Sequence, residues 1–402
     1  EIQTYANYYC AMALNAETDT SLALAFRDLR ELKVDVAYPF LLELYHDYSQ
    51  GQLSGQEFEQ IVRLVESYVF RRAICAIPTN SHNKTFATFT NAVDKNKYLE
   101  SVKAHFLLLP TYRRYPNDEE FKRELSTRDL YNFPRRSYWL RRLENHGRKE
   151  RVPVNQYTIE HILPQNERLS EKWRAELGPD WKRVQETWLH TLGNLTLTGY
   201  NSEYSDRPFA EKRDMPGGFS QSPLRLNEGL GTLAQWDETA IKSRASRLSN
   251  LAAEVWPTPS LPPITLETYQ PEKPIVGDYS INDHPHLSSD SPMRPLFELF
   301  RKEVLAIDPS VSEEFLKYYV AYKAETNFVD VVPQMSRLRL TLNLPFHELH
   351  DPHGIARDIT GIRRWGNGDA QVSLSSNSDL PYVMGLVRQA FERQMGNGGA
   401  DS

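Results

Sequence analysis

Residues 158–164 read TIEHILP, a β-branched and apolar run that sets two titratable side chains, Glu160 and His161, next to each other and closes on Pro164. Its length and composition are those of a short strand, and a proline is a strand's natural stop. A buried structural strand has no use for an adjacent acid and imidazole, so the pair marks a candidate site. Downstream, residues 189–213 read LHTLGNLTLTGYNSEYSDRPFAEKR. There Asn194 falls in a loop ahead of a second strand, and Asn201 opens a helix that carries Lys212 about three turns on.

The frame around these segments is a long, ordinary globular composition. With 402 residues, 40% hydrophobic and 11% aromatic, the chain can bury two or three cores. No run of about 18 uncharged apolar residues occurs, and no signal pattern opens the chain, so a cytoplasmic setting without membrane contact is expected. Cys10 and Cys75 are the only cysteines, too few for a disulfide framework or a thiolate zinc site. The first residue is Glu1 rather than Met, so an upstream segment is expected. A net charge of -6 excludes a uniformly basic surface but leaves room for a local basic patch.

Such a patch is present. Residues 111–152 interleave arginines, Arg135, Arg136, Arg141 and Arg142 among them, with Tyr112, Tyr115, Tyr131, Tyr138 and Trp139. Cations among aromatics suit a phosphate backbone and unstacked bases. The alternative is an amphipathic helix whose arginines are solvated or paired with Glu119, Glu120 and Glu124.

Elsewhere the periodicity assigns domains. Residues 1–110 read as a helical domain, with Ser54 three residues before Glu57 as a capping box and Phe58, Ile61, Val65, Tyr68 and Val69 on one helix face. Residues 111–256 hold the candidate site behind its basic and aromatic lead-in, and 257–292 are a proline- and serine-rich linker. Residues 293–395 form a small α/β domain: a helix over PLFELFRKEVLAI, a second capped by Ser310 with Glu313, then strands. Among those strands RLRLTLNL alternates, with Leu338, Leu340, Leu342 and Leu344 on one face, VDVV and AQVSLSS as partners, and a closing amphipathic helix. Residues 396–402 are a disordered tail.

The order of acid, His161, Asn194 and Asn201 resembles the HNH, or His-Me finger, nuclease motif over residues 150–215. The wider spelling, GNLTL with F-x-x-K-R, is similar to the nuclease domain of GmrSD-type, modification-dependent restriction endonucleases. The resemblance implies an α+β multidomain protein with a ββα-metal core, cutting modified or foreign (phage) DNA. It also implies an NTP-dependent sensor domain in cis, joined through the N-terminal helices. One magnesium or manganese ion is implied, and oligomers are possible. The resemblance assigns Glu160 and Asn201 to the metal and Asn194 to tying the loop. Two departures stand out: Glu160 replaces the commoner aspartate, and the CxxC zinc pairs of many relatives are missing, so no zinc is expected and packing around Trp173, Trp181 and Trp188 must brace the fold.

Chemistry gives the same roles a reason. A neutral imidazole takes a proton from water at neutral pH without unusual tuning, which makes His161 the candidate general base. Phosphodiester hydrolysis gathers negative charge, which a hard cation on oxygen ligands stabilises. Lys212 and Arg213 could then hold the substrate phosphate. A different class of function remains open: a nucleic-acid-binding or regulatory module on the same scaffold that does not cut. Two further segments draw attention. HELHDPHG spaces His347, His350 and His353 around Asp351, as a metal site or as a solvated turn. RRWGNGD puts Trp365, Arg363 and Arg364 at a turn, either to bind a ligand or to cover a sheet edge.

Overall fold

Capping chemistry and apolar spacing build the N-terminal helices α1 (Ile2–Ala13), α2 (Thr20–Leu32), α3 (Tyr38–Ser49), α4 (Gly55–Ile74), α5 (His82–Ala92) and α6 (Tyr98–Leu107). The Asp19 carboxylate accepts from the Ser21 and Leu22 amides, and the Ser54 hydroxyl accepts from the Glu57 amide, satisfying donors a helix start leaves open. α4 then buries Phe58, Ile61, Val65, Tyr68 and Val69. The computed structural model describes residues 2–79, 81–110, 113–270, 279–308, 310–324, 326–361 and 368–396. Tyr112, part of the 257–292 stretch, the turn with Arg363, Arg364 and Trp365, and the 397–402 tail lie outside them. No helix among the described residues is long and apolar enough to cross a membrane.

Chain contacts divide the molecule into two units, residues 1–79, 86–107 and 115–261 in one and 80–85, 108–114 and 262–402 in the other. After the N-terminal helices, the first unit continues through α7 (Asp118–Thr127), α8 (Arg136–Asn145), β1 (Thr158–His161), α9 (Glu171–Leu177) and α10 (Trp181–Trp188). It then runs through β2 (Leu195–Thr198), α11 (Asn201–Tyr204), α12 (Phe209–Asp214) and α13 (Glu238–Val255). β1 and β2 form an antiparallel pair in the register Thr158↔Thr198, Ile159↔Leu197, Glu160↔Thr196 and His161↔Leu195.

Two arginines of the arginine-rich segment, Arg141 and Arg142, are turned to the interior, which corrects their reading as DNA contacts, while Arg135 and Arg136 are exposed. Arg141 Nη2 donates to Asp28 at 2.5 Å and to Glu31 at 2.8 Å, and Arg142 Nε donates to Glu66 at 2.8 Å. Arg63 joins the same acids from α4, at 2.5 Å to Asp28 and 2.6 Å to Glu66. Burial pushes the Asp28 carboxyl up, but the guanidiniums of Arg142, Arg63 and Arg141 outweigh it and hold the carboxyl below the usual range. These cations neutralise core acids on α2 and α4, while Arg123 of the same segment pairs with Glu124 at 3.0 Å, as the amphipathic-helix alternative expects. Tyr138 and Trp139 are buried too, and Tyr138 donates to Glu66 at 2.5 Å. Trp256, at the head of the proline-rich stretch, packs on Phe70 with ring centroids 4.2 Å apart and donates to Tyr138.

In the second unit, α14 (Pro263–Thr268) and α15 (Arg294–Leu305) precede β3 (Ser312–Phe315), β4 (Val320–Lys323), β5 (Asn327–Pro333), β6 (Leu338–Leu342), β7 (Arg357–Asp358) and β8 (Ala370–Leu374), and α16 (Leu380–Gly396) closes it. The strands make one antiparallel sheet in the order β3-β4-β5-β6-β8-β7. Leu338, Leu340 and Leu342 bury against Val331, Val372 and Phe300 beneath α15 and α16. Each such side chain removed from water contributes about 1.5–3 kcal/mol before entropy is counted. The helix expected from Ser310 and Glu313 is instead strand β3, because Glu313 is bound across the fold by Arg301 at 2.8 Å and by the Tyr322 hydroxyl.

Candidate active site

The hairpin β1–β2 is fixed from below by a tryptophan-rich core. Trp173 and Trp236 are fully buried with Ile162, Leu163, Phe209 and Ile241, while Trp181 and Trp188 pack at its edge half-exposed. Gly193 is required here, since a Cβ would lie 2.4 Å from the Ile241 carbonyl oxygen of α13. That close approach lets Arg244 of α13 donate to the carbonyls of Leu192, Gly193 and Leu195 at 2.7–3.1 Å. Asn194, wholly buried, completes the clamp. Its amide oxygen accepts from the Leu163 amide at 2.7 Å and from Trp236 Nε1 at 3.1 Å, and its nitrogen donates to the carbonyls of Leu163 and Leu189 at 3.0 Å. Both donors and both lone pairs are used, so the loop before β2 and the exit from β1 are locked to one another.

Side chains alternate along a strand, so Glu160 and His161 leave opposite faces of β1. Glu160 meets Lys212 of α12. The ammonium donates to Glu160 Oε1 at 2.5 Å and to the carbonyls of His161 and Ile162 at 3.1 and 3.2 Å, and the pair is buried. Burial raises the Glu160 carboxyl and lowers the Lys212 ammonium, and each partner's charge opposes the shift in the other.

His161 faces a separate cluster. Its Nε2 lies 3.0 Å from His190 Nδ1, and its Nδ1 lies 2.9 Å from the amide nitrogen of Gln165. With that amide donating, Nδ1 is the acceptor and Nε2 carries the proton toward His190. Tyr131 meets His161 edge-on at 4.5 Å and stacks on His190 at 5.2 Å and 13°. The Arg136 guanidinium lies over the Tyr131 ring, 4.6 Å from its centre. Burial, then His190 and the Lys212 charge, push the His161 imidazole down to about 3, so it is neutral at physiological pH.

The residues expected from sequence thus fall into three groups. His161, Asn194, Glu160 and Lys212 gather on the hairpin. Asn201 begins α11 but its side chain is exposed, and the helix expected to run on to Lys212 breaks at Ser205, which adopts φ 41°, and Pro208. Lys212 and Arg213 are not available to a phosphate: the first is sealed against Glu160, and the second is matched by Asp214 at 2.5 Å and the Leu233 carbonyl. Nor do Glu160 and Asn201 fit a divalent cation in this arrangement. The carboxylate already has an ammonium on it, and a second cation there would meet that charge in a buried setting. No cluster of three or more His, Cys, Asp or Glu placed to hold a metal occurs among the described residues. His347, His350 and His353 are no exception; their loop is pinned to α16, where His353 stacks on Tyr382 at 4.0 Å and Tyr382 donates to Asp351.

Sequence reasoning does not single out His190, Gln165 and Arg244, and it names Tyr131 only as one of the aromatics of the arginine-rich segment, not as a neighbour of His161. The signal for His190 was present in LHTLGNLTL, one strand-turn from Asn194; Tyr131 gives no local sign, since the chain brings it back from a distant segment.

Residues 115–251 match the family model of GmrSD restriction endonucleases, C-terminal domain. Every residue of the hairpin, its clamp and the His190–Tyr131 cluster lies inside that match. Residues 284–394 match a domain of unknown function, DUF5655. An uncharacterized protein of Haemophilus influenzae is 33% identical over 114 residues, which cover 28% of this chain and 37% of that protein.

Proposed function

We propose that the first unit is a DNA endonuclease that acts in restriction of modified or foreign DNA. The observation that carries this reading is the geometry of the His161 imidazole, with Nε2 directed at His190 and Nδ1 accepting only from the exposed Gln165 amide, inside a segment matched to restriction endonucleases. Nδ1 takes a proton from water as the water oxygen bonds to phosphorus; the P–O3′ bond breaks with its electron pair on the 3′ oxygen, which takes up a proton from solvent. Exposed Gln165 is the group that water replaces at Nδ1. His190 is a positioning residue: by accepting from Nε2 it holds the imidazole in the useful tautomer. Arg136 is the exposed cation nearest the ring and supplies charge for the phosphate. Magnesium or manganese at Glu160 and Asn201 has no step in this derivation, because Lys212 neutralises that carboxylate.

The test is nicking of supercoiled plasmid by the protein and by His161→Ala, each with magnesium, with manganese and with EDTA. A loss of about 100- to 10,000-fold in rate for His161→Ala is expected of a lost general base. Equal rates would remove His161 from the chemistry, and the EDTA arm decides whether any metal takes part. A second reading, a nucleic-acid-binding module that does not cut, draws on the engagement of both ring nitrogens of His161 and of Glu160. Binding without nicking under every condition would favour it.

A further inference from the structure

A cavity of about 820 Å³ opens along the face of the hairpin that carries His161. Ile159 and Leu197, a cross-strand pair, form part of its wall. Ile159 precedes His161 by two residues and therefore shares its face, about 6.6 Å away along the strand. The N-terminus of α8 forms another wall, through Arg135, Arg136 and Ser137, and Arg151 and Tyr157 complete the mouth.

The charge in this cavity is unbalanced. Five arginines and one acid line it: Arg27, Arg135, Arg136, Arg141 and Arg151 against Glu31. Arg27 and Arg141 are accounted for by Glu31 and Asp28. Arg136 makes a hydrogen bond to the Tyr131 carbonyl but no ion pair among the described residues. The side chains of Arg135 and Arg151 make neither a hydrogen bond nor an ion pair among the described residues, and both residues are exposed. Partial burial lowers each guanidinium; Asp28 opposes this at Arg151, where the cations Arg63, Arg142 and Arg141 add to it, and Asp35 opposes it at Arg135. Three cations at one concave site, none in an ion pair among the described residues, call for an anion. α8 adds its uncapped N-terminus, where no side chain satisfies the first amides.

We propose that this cavity binds the phosphate backbone of nucleic acid, with Arg135 and Arg151 as direct phosphate ligands and Arg136 between them and His161. The inference rests on the nucleic-acid part of the preceding reading and not on cleavage. Arg136 and Tyr131 connect the two places, so a strand lying in the cavity continues past the imidazole. Tyr157, half-exposed at the mouth, offers a ring to a base of the same strand.

The test measures binding of a fluorescent duplex oligonucleotide to the full 402-residue chain as salt is varied. Arg135→Gln/Arg151→Gln, made in the His161→Ala background, is compared with that background alone. Two lost phosphate contacts should flatten the slope of log K against log salt by roughly 1.8, at about 0.9 per phosphate. The lysine pair Arg135→Lys/Arg151→Lys should recover most of it, which separates lost charge from misfolding. Lys302→Gln/Arg388→Gln removes two exposed charges from the other unit and should leave the slope unchanged. An equal fall in that control, an unchanged slope in the cavity variant, or no DNA binding by the parent would overturn the proposal. A calorimetric titration with a nucleoside triphosphate covers the remaining source of phosphate: cavity-dependent binding of the free nucleotide with unaltered DNA binding would overturn it too. Nicking is scored separately, so a protein that shows the expected slope change and never cuts upholds the cavity and fails the endonuclease.

Discussion

The Lys212 ammonium lies 2.5 Å from Glu160 Oε1, with neither side chain open to solvent. Lys212→Met would leave a buried carboxylate without its counter-charge and two backbone carbonyls without a donor. The expected cost is about 3–5 kcal/mol in urea unfolding. Adding Glu160→Gln to Lys212→Met should recover much of it, because no buried charge then remains. Manganese gives a second readout: it should stabilise Lys212→Met more than the parent, where the ammonium already occupies the carboxylate. A parent stabilised as strongly as the variant would mean that an ion and Lys212 coexist there.

Asn194 is expected to matter for stability before chemistry. Its amide makes four hydrogen bonds in a water-free setting, and Asn194→Ala orphans a buried amide, an indole donor and two carbonyls. A loss of about 3 kcal/mol or more is expected, read by thermal or urea unfolding. Asn194→Asp tests the donors alone, since the carboxylate keeps the acceptor and loses both N–H groups. A variant as stable as the parent would show that the clamp is redundant with Arg244.

The depressed imidazole of His161 fixes the sign of a pH effect. Its folded value of about 3 lies below the unfolded value of 6.5, so the unfolded chain binds the proton first as pH falls. The stability this residue contributes is complete above about 6.5 and is lost progressively between there and about 3. His161→Gln should remove that part of the stability-pH profile. Nicking, if His161 is the base, should show no acid limb near pH 6.5; a limb centred there would mean that His161 titrates normally in the working enzyme. His190→Ala should lower kcat at least about tenfold with KM little changed, and His190→Asn, which keeps an acceptor near Nδ1, should recover part of it.

Arg141 and Arg142 should behave as core residues. Arg141→Gln or Arg142→Gln leaves Asp28 or Glu66 undercompensated in the interior, at an expected cost of about 3–5 kcal/mol. The salt dependence of DNA binding, measured on the folded fraction, should match the parent. A flattened slope with unchanged stability would return these two residues to the surface role that their sequence context suggests.

What the sequence disclosed depended on how far apart the deciding partners lie. The cap at Ser54, the hairpin strands around Glu160–His161 and Leu195–Thr198, and the alternating face of β6 are encoded within a few residues, and they are where the spacing puts them. Ser310 and Glu313 imitate a capping box, but Arg301 and Tyr322 hold Glu313 in a strand, and tertiary contacts overrode the local signal. Arg141 looks like a surface cation until Asp28 is brought beneath it from more than a hundred residues upstream. Lys212 was read as a phosphate ligand for the same reason: nothing near it in sequence announces that Glu160 will be its partner. Tyr131 and His190 come from separate segments, so their stacking with His161 has no one-dimensional trace.

Arg135, at the head of α8, holds φ at 64°, a left-handed conformation that costs a side-chain-bearing residue about 1–2 kcal/mol and glycine nearly nothing. Selection for thermal stability alone would therefore favour glycine or asparagine at this position. A stabilising screen of this protein should return Arg135→Gly among its gains, and that gain would remove one of the three arginine charges that line the cavity without an ion pair among the described residues. Arg135 is thus a place where a hardier protein and a tighter grip on an anion pull in opposite directions, and stability-guided engineering should hold it fixed.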